Sequence, residues 1–218
     1  MAKVGVLLSG CGVYDGSEIH EAVITMLALD RAGAEIVCMA PNKNQHHVIN
    51  HLTMEQMNET RNVLVESARI ARGNVKDLKT VTAKDIDALI MPGGFGAAKN
   101  LSDFAFKGTQ ALVDAEVERL LKEMVQAKKP IGAICISPAT VALALGSIGP
   151  TLTIGNDAET IGAIEALGGK HRACMVHEIA VDEENRIVTT PAYMLGPGIK
   201  DVASGIENLV AKIMAMIT

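Results

Sequence analysis

The chain has 218 residues, 49% of them hydrophobic, and carries 20 basic against 25 acidic side chains, a net charge of −5. That length suits one domain with a sizeable core, while the acidic balance, the lack of a Lys/Arg cluster and an aromatic content of 2% exclude a phosphate-tracking or base-stacking nucleic-acid surface. No apolar run is long enough to span a membrane, and Cys11, Cys38, Cys135 and Cys174 lack the paired spacing of a zinc site or a disulfide framework.

Residues 3–8 are an apolar, β-branched run that stops at Ser9-Gly10-Cys11-Gly12, the pattern of a buried strand entering a glycine-rich loop. The run starts directly after Met1-Ala2, without the h-region of a signal peptide, so the expected compartment is the reducing cytoplasm. Asp15-Gly16-Ser17 supplies a turn and an N-cap, with Glu18 in the first turn of a helix. Its apolar positions Ile19, Ala22, Val23, Met26 and Leu27 recur at helical spacing as far as Arg31-Ala32-Gly33. A strand at 34–39 completes a β-α-β unit. Over about 42–80 the pattern loosens, and this stretch is expected to be an insertion containing an amphipathic helix at 59–72.

A strand at 88–91 then ends in Pro92-Gly93-Gly94-Phe95-Gly96. The pattern predicts a long amphipathic helix at 110–128, a strand at 130–135 and a helix at 137–145. A short strand at 152–154 and a helix capped by Asn156-Asp157 come next. Strands at 174–181 and 186–190 flank an acidic turn, and Gly196-Pro197-Gly198 opens a last helix at 199–216. Strands alternating with helices imply an α/β fold whose mostly parallel sheet is covered on both faces, with ligands expected outside the carboxyl ends of the strands at a switch point.

The chain is organised around residues 130–140, where an apolar strand ends in Cys135 and Ser137-Pro138 begins a helix. Such a strand–turn–helix elbow holds one side chain on a sharp turn beside helix-terminal amides, where a thiolate is favoured. Three features together, the loop after the first strand with its following acid, the Pro92-Gly93-Gly94 turn and the Cys135 elbow, resemble the ThiJ/PfpI superfamily, relatives of the class I glutamine amidotransferases. More narrowly, the segment from Ser9 to Glu21 and the insertion after Pro41 are similar to the enhancing-lycopene-biosynthesis, or sigma cross-reacting, branch.

The resemblance implies a flavodoxin-like three-layer α/β/α sandwich forming one amidotransferase-like domain over 1–218. It also implies a cofactor- and glutathione-independent glyoxalase that acts on glyoxal, or on methylglyoxal, with Cys135 as nucleophile, no metal and a homodimeric state. Counting back from Arg31-Ala32-Gly33, it places the family's acid at Glu21; a carboxyl desolvated beside sulfur stays protonated and donates to it. Glu18, three residues earlier, shares the helix face. Gly93 and Gly94 let main-chain N–H groups approach an oxyanion, with Gly94 and Ile136 as the expected donors.

Gly10 and Gly12 are candidate pocket residues, although Asp15 stands where a dinucleotide fingerprint needs its third glycine. His46, His47 and His51 are expected to be solvated rather than metal-binding, and His177-Glu178 is a candidate supporting polar pair. No histidine follows Cys135 or occupies Ile154-Gly155-Asn156-Asp157, which disfavours a Cys-His-acid hydrolase. The alternatives are a redox-sensing or chaperone-like stress protein using an oxidisable cysteine, or an accessory protein of isoprenoid biosynthesis.

Overall fold

The computed structural model describes residues 1–217. Strand β1 (Lys3–Leu7), helix α1 (Ile19–Arg31) and strand β2 (Glu35–Ala40) form the opening unit, followed by α2 (Val63–Ile70), β3 (Lys76–Asp77) and β4 (Ala88–Met91). Two short helices, α3 (Phe95–Lys99) and α4 (Phe104–Lys107), precede α5 (Ala115–Gln126), β5 (Ile131–Ile134) and α6 (Ser137–Leu145). The chain continues through β6 (Thr151–Leu152), α7 (Ala158–Ala166), β7 (Lys170–His171), β8 (Ala180–Asp182) and β9 (Ile187–Thr190) to α8 (Ile199–Met216).

Seven strands pair in the order β3-β2-β1-β4-β5-β9-β8, all parallel except β8, which runs against β9; β6 and β7 form a separate parallel pair. Because side chains alternate across a strand, the sheet feeds two cores. Leu7, Met39, Leu89, Met91, Ile131 and Ile187 pack with α5 and α6 on one face. Val4, Val6, Cys38, Ile90, Ile134 and Val188 pack with α1 and α8 on the other. The result is the flavodoxin-like α/β/α sandwich. Chain order reverses between β1 and β4, which puts the crevice at their carboxyl ends.

Several boundaries differ from the sequence reading for local reasons. The helices expected at 59–72 and 110–128 are shorter, because the Asn62 and Asp114 side chains accept the first free N–H groups and start the helices there. Glu18 rather than Ser17 caps α1; its carboxylate accepts from Glu21 N–H at 2.7 Å, while Ser17 Oγ accepts from Ser9 N–H at 2.8 Å. Residues 174–179 form a turn, closed by Glu178 N–H donating to the Met175 carbonyl, rather than a strand. Helices α3 and α4 escaped notice at four to five residues each, too short for a 3.6-residue repeat to show.

The expected insertion is stitched into the fold. Its β3 extends the sheet edge, and from α2 the Ser67 Oγ accepts from Gly10 N–H at 2.9 Å. Ile49 N–H donates to the buried Asp15 carboxylate at 2.7 Å, and Tyr14 N–H to His51 Nε2 at 3.2 Å.

Candidate active site

Cys135 occupies the first position beyond β5 at φ +61°. For a residue with a Cβ this left-handed backbone is strained by about 1–2 kcal/mol, and it turns the side chain away from the strand's alternation. The neighbours hold it there: Cys135 N–H donates to the Thr190 carbonyl of β9 at 3.0 Å, and Ser137 Oγ donates to the Pro92 carbonyl at 2.7 Å, joining the start of α6 to the end of β4.

Glu21 reaches the same point from the first turn of α1 and is fully buried. Its Oε2 accepts from Gly93 N–H at 2.9 Å and its Oε1 from Tyr193 N–H at 3.3 Å, and the carboxyl hydrogen-bonds with Cys135. The amides of Gly94 and Ile136 act on the sulfur. Four main-chain N–H groups thus converge on one acid–thiol pair. A Cβ on Gly93 would lie 2.4 Å from Cys135 Cβ and 2.7 Å from Glu21 Oε2, so only glycine lets the two meet here.

Burial, and then the charge of Glu18, push the Glu21 carboxyl up to about 8, against the pull of its amide and thiol partners. At neutral pH it is predominantly a neutral acid. Burial also pushes the Cys135 thiol well above its usual range, assisted by Glu21, with the Gly94 and Ile136 amides opposing. The elbow supplies amides that favour a thiolate, and burial, with Cys135 8% exposed, works against them.

The remaining candidates divide. Glu18 is buried and works as the helix cap, with His20 Nδ1 at 3.8 Å. Gly10 and Gly12, at φ +116° and +135°, pack against Gly16, Gln45 and His51 rather than the sulfur, and so fasten the insertion to the glycine loop. His177 is exposed, gives its carbonyl to Asn208 of α8, and lines a surface hollow with Arg172 and Ile179, so it does not support the pair. His46 stacks on Phe106, and His47 meets the same ring edge-on.

Sequence reasoning missed Tyr193, whose amide holds Glu21 and whose hydroxyl lies 2.8 Å from His20 Nδ1. Ala192, at φ +45°, aims that amide, and no glycine marks the turn. Asn100 was missed as well; its buried amide donates to the carbonyls of both Ser9 and Asp15 at 2.9 Å, locking the first glycine loop against α3.

This arrangement of elbow, paired acid and interlocked glycine turns agrees with a match to the DJ-1/PfpI family model over residues 11–191. The chain belongs to the DJ-1/PfpI family. Within it, the chain is 48% identical to the human glutamine amidotransferase-like class 1 domain-containing protein 3, mitochondrial, across 99% of this chain and 83% of that protein. It is 47% identical to the rat ES1 protein homolog, mitochondrial, across 99% and 84%.

Among solved structures of the DJ-1/PfpI fold, an isoprenoid biosynthesis protein with an amidotransferase-like domain from Ehrlichia chaffeensis superposes with TM-score 0.93 at 42% identity, covering both chains fully. Glyoxalase III from Candida albicans shares the fold at TM-score 0.61 and 15% identity over 96% of each chain. The mitochondrial relatives overturn the expectation of a cytoplasmic compartment. Unpaired cysteines report a reducing environment, and that property does not single out the cytosol.

Proposed function

We propose that this protein is a glutathione-independent glyoxalase that converts glyoxal to glycolate without metal or cofactor, using Cys135 and Glu21. The observation that carries the reading is the fully buried acid hydrogen-bonded to the elbow cysteine, with a main-chain amide on each side of both groups. Among the described residues no histidine hydrogen-bonds to Cys135, which weighs against glutamine hydrolysis. The fold shared with glyoxalase III of Candida albicans adds support.

A carboxyl with a pKa of about 8 is ionised in about a tenth of molecules at pH 7. That carboxylate takes the Cys135 proton, and sulfur adds to one aldehyde carbon of glyoxal. The resulting oxyanion faces the Gly94 and Ile136 amides and receives the proton from Glu21, giving a hemithioacetal. Glu21 then removes the hydrogen of that carbon as a proton and returns it to the neighbouring carbon, while the hemithioacetal hydroxyl proton passes to the neighbouring oxygen, leaving a thioester of glycolate. Water cleaves the thioester, releasing glycolate and the thiol. The sum is glyoxal plus water to glycolic acid, with no oxidant or reductant.

The direct test incubates purified, reduced protein with glyoxal in the absence of glutathione and added metal. Glycolate should form with wild type and not with Cys135→Ala; a wild-type enzyme that makes none overturns the reading.

A further inference from the structure

The chain has three phenylalanines, and all of them, Phe95, Phe104 and Phe106, line a single cavity of about 390 Å³. Among the described residues the buried core holds no phenylalanine, and Phe95 and Phe106 are 48% and 44% exposed. The fold therefore buries none of these rings in its core. Ile136, Ala163 and Glu159 complete the part of the wall that matters here. Phe95 follows Gly94 and Ile136 follows Cys135, so the cavity begins one residue from both the thiol and an amide that acts on it.

The rings are braced from behind. His46 stacks on Phe106 with centroids 4.1 Å apart and His47 meets it edge-on at 5.4 Å. His46 N–H donates at 2.9 Å to Asn100, the buried residue that locks the glycine loop. Lys99 Nζ lies 5.2 Å from the Phe95 ring centre. Through these two histidines the polar insertion braces Phe106. The volume falls in the range of small-molecule sites, and glyoxal, with two carbons and no substituent, would leave it empty.

We propose that this cavity is a specificity pocket for a neutral, apolar, ring-sized substituent on a 2-oxoaldehyde whose aldehyde carbon is attacked by Cys135. This rests on the glyoxalase reading above. Glu159 at the wall disfavours a substituent ending in a carboxylate. With phenylglyoxal, sulfur adds to the aldehyde carbon, the hydrogen of that carbon passes as a proton to the ketone carbon and the hemithioacetal hydroxyl proton to the ketone oxygen, and water cleaves the resulting thioester. Phenylglyoxal plus water gives mandelic acid.

The test compares kcat/KM for phenylglyoxal and glyoxal, read as mandelate and glycolate formed. Wild type should favour phenylglyoxal by about ten-fold or more, the scale on which apolar pockets discriminate. Ala163→Phe, which pushes a ring into the cavity from α7 at a partly exposed position, should lower that ratio at least as far. Phe106→Ala, which removes an exposed ring and opens no hole in the core, should lower it too. A ratio that both folded variants leave unchanged overturns the pocket.

If wild type turns over neither compound, the glyoxalase reading fails by itself, and mandelate binding to the wild-type protein, followed by ligand-observed NMR, decides the pocket. Binding that Ala163→Phe abolishes upholds the pocket. Binding that is absent, or equal in the variant, overturns it.

Discussion

Cys38 and Cys135 are equally hidden, at 6% and 8% exposure, yet the sheet uses them in opposite ways. Cys38 lies within β2, its thiol 3.7 Å from Met26 Sδ, its only hydrogen-bond partner among the described residues, and burial alone pushes it up to about 11. Cys135 lies one position past the end of β5, where the left-handed turn brings the thiol to a carboxyl and two main-chain amides. Burial makes both thiols weak acids. Only at the strand end does the proton have somewhere to go and the resulting charge something to meet it, so what separates the two thiols is their partners and not their exposure.

The largest expected effect follows from that difference. Cys135→Ala should remove glyoxal turnover by at least about 1,000-fold, as loss of a covalent nucleophile does, measured as glycolate release. Next, Glu21→Gln should lower kcat by about 10²- to 10⁴-fold, the range of a positioned acid–base group. The same variant should move the pH midpoint of Cys135 alkylation downward, because the charge and hydrogen bond of Glu21 are among the causes that hold the thiol up. A midpoint that stays or rises would mean that Glu21 does not act on the sulfur.

Stability gives a third, smaller handle. Glu21 has a folded pKa of about 8 against 4.5 unfolded, so between these values the native state binds more protons than the unfolded chain. Its contribution is fully present below about pH 4.5 and is lost as pH rises through about 8. Urea unfolding of wild type relative to Glu21→Gln should therefore show a loss on the order of 3–5 kcal/mol between pH 5 and pH 9. Parallel curves would refute a carboxyl buried in this way.

Much of this contrast is legible in the sequence, because it depends on local chemistry. An apolar run ending in cysteine before Ser137-Pro138 is a strand-end elbow, and the spacing that starts α1 puts Glu21 on its first turn. The doubled glycine after β4 announces a close approach, which proves to be that of Cys135 and Glu21 to Gly93.

What the sequence hides is whatever arrives from far away or without its own signature. The Tyr193 amide comes from 172 residues along the chain, set by an alanine at positive φ. Gly10 and Gly12 advertise their backbone but not the insertion they face. His177 fell in an apolar stretch that passes for strand, and a turn carries it to the surface. The phenylalanine wall is split between α3 and α4, with no periodicity to join its members.

The smallest effect is expected at the other cysteine, and it closes the comparison. Cys38→Ser keeps the size of the side chain but buries a hydroxyl against the thioether of Met26, at a cost of about 1–3 kcal/mol. The urea midpoint should fall accordingly, while kcat/KM for glyoxal stays within about two-fold of wild type, since catalysis does not depend on a thiol that lacks an acid and amides. A folded Cys38→Ser protein that loses turnover would show that the interior of β2 and the end of β5 are coupled, and that partners at the strand end alone do not account for reactivity.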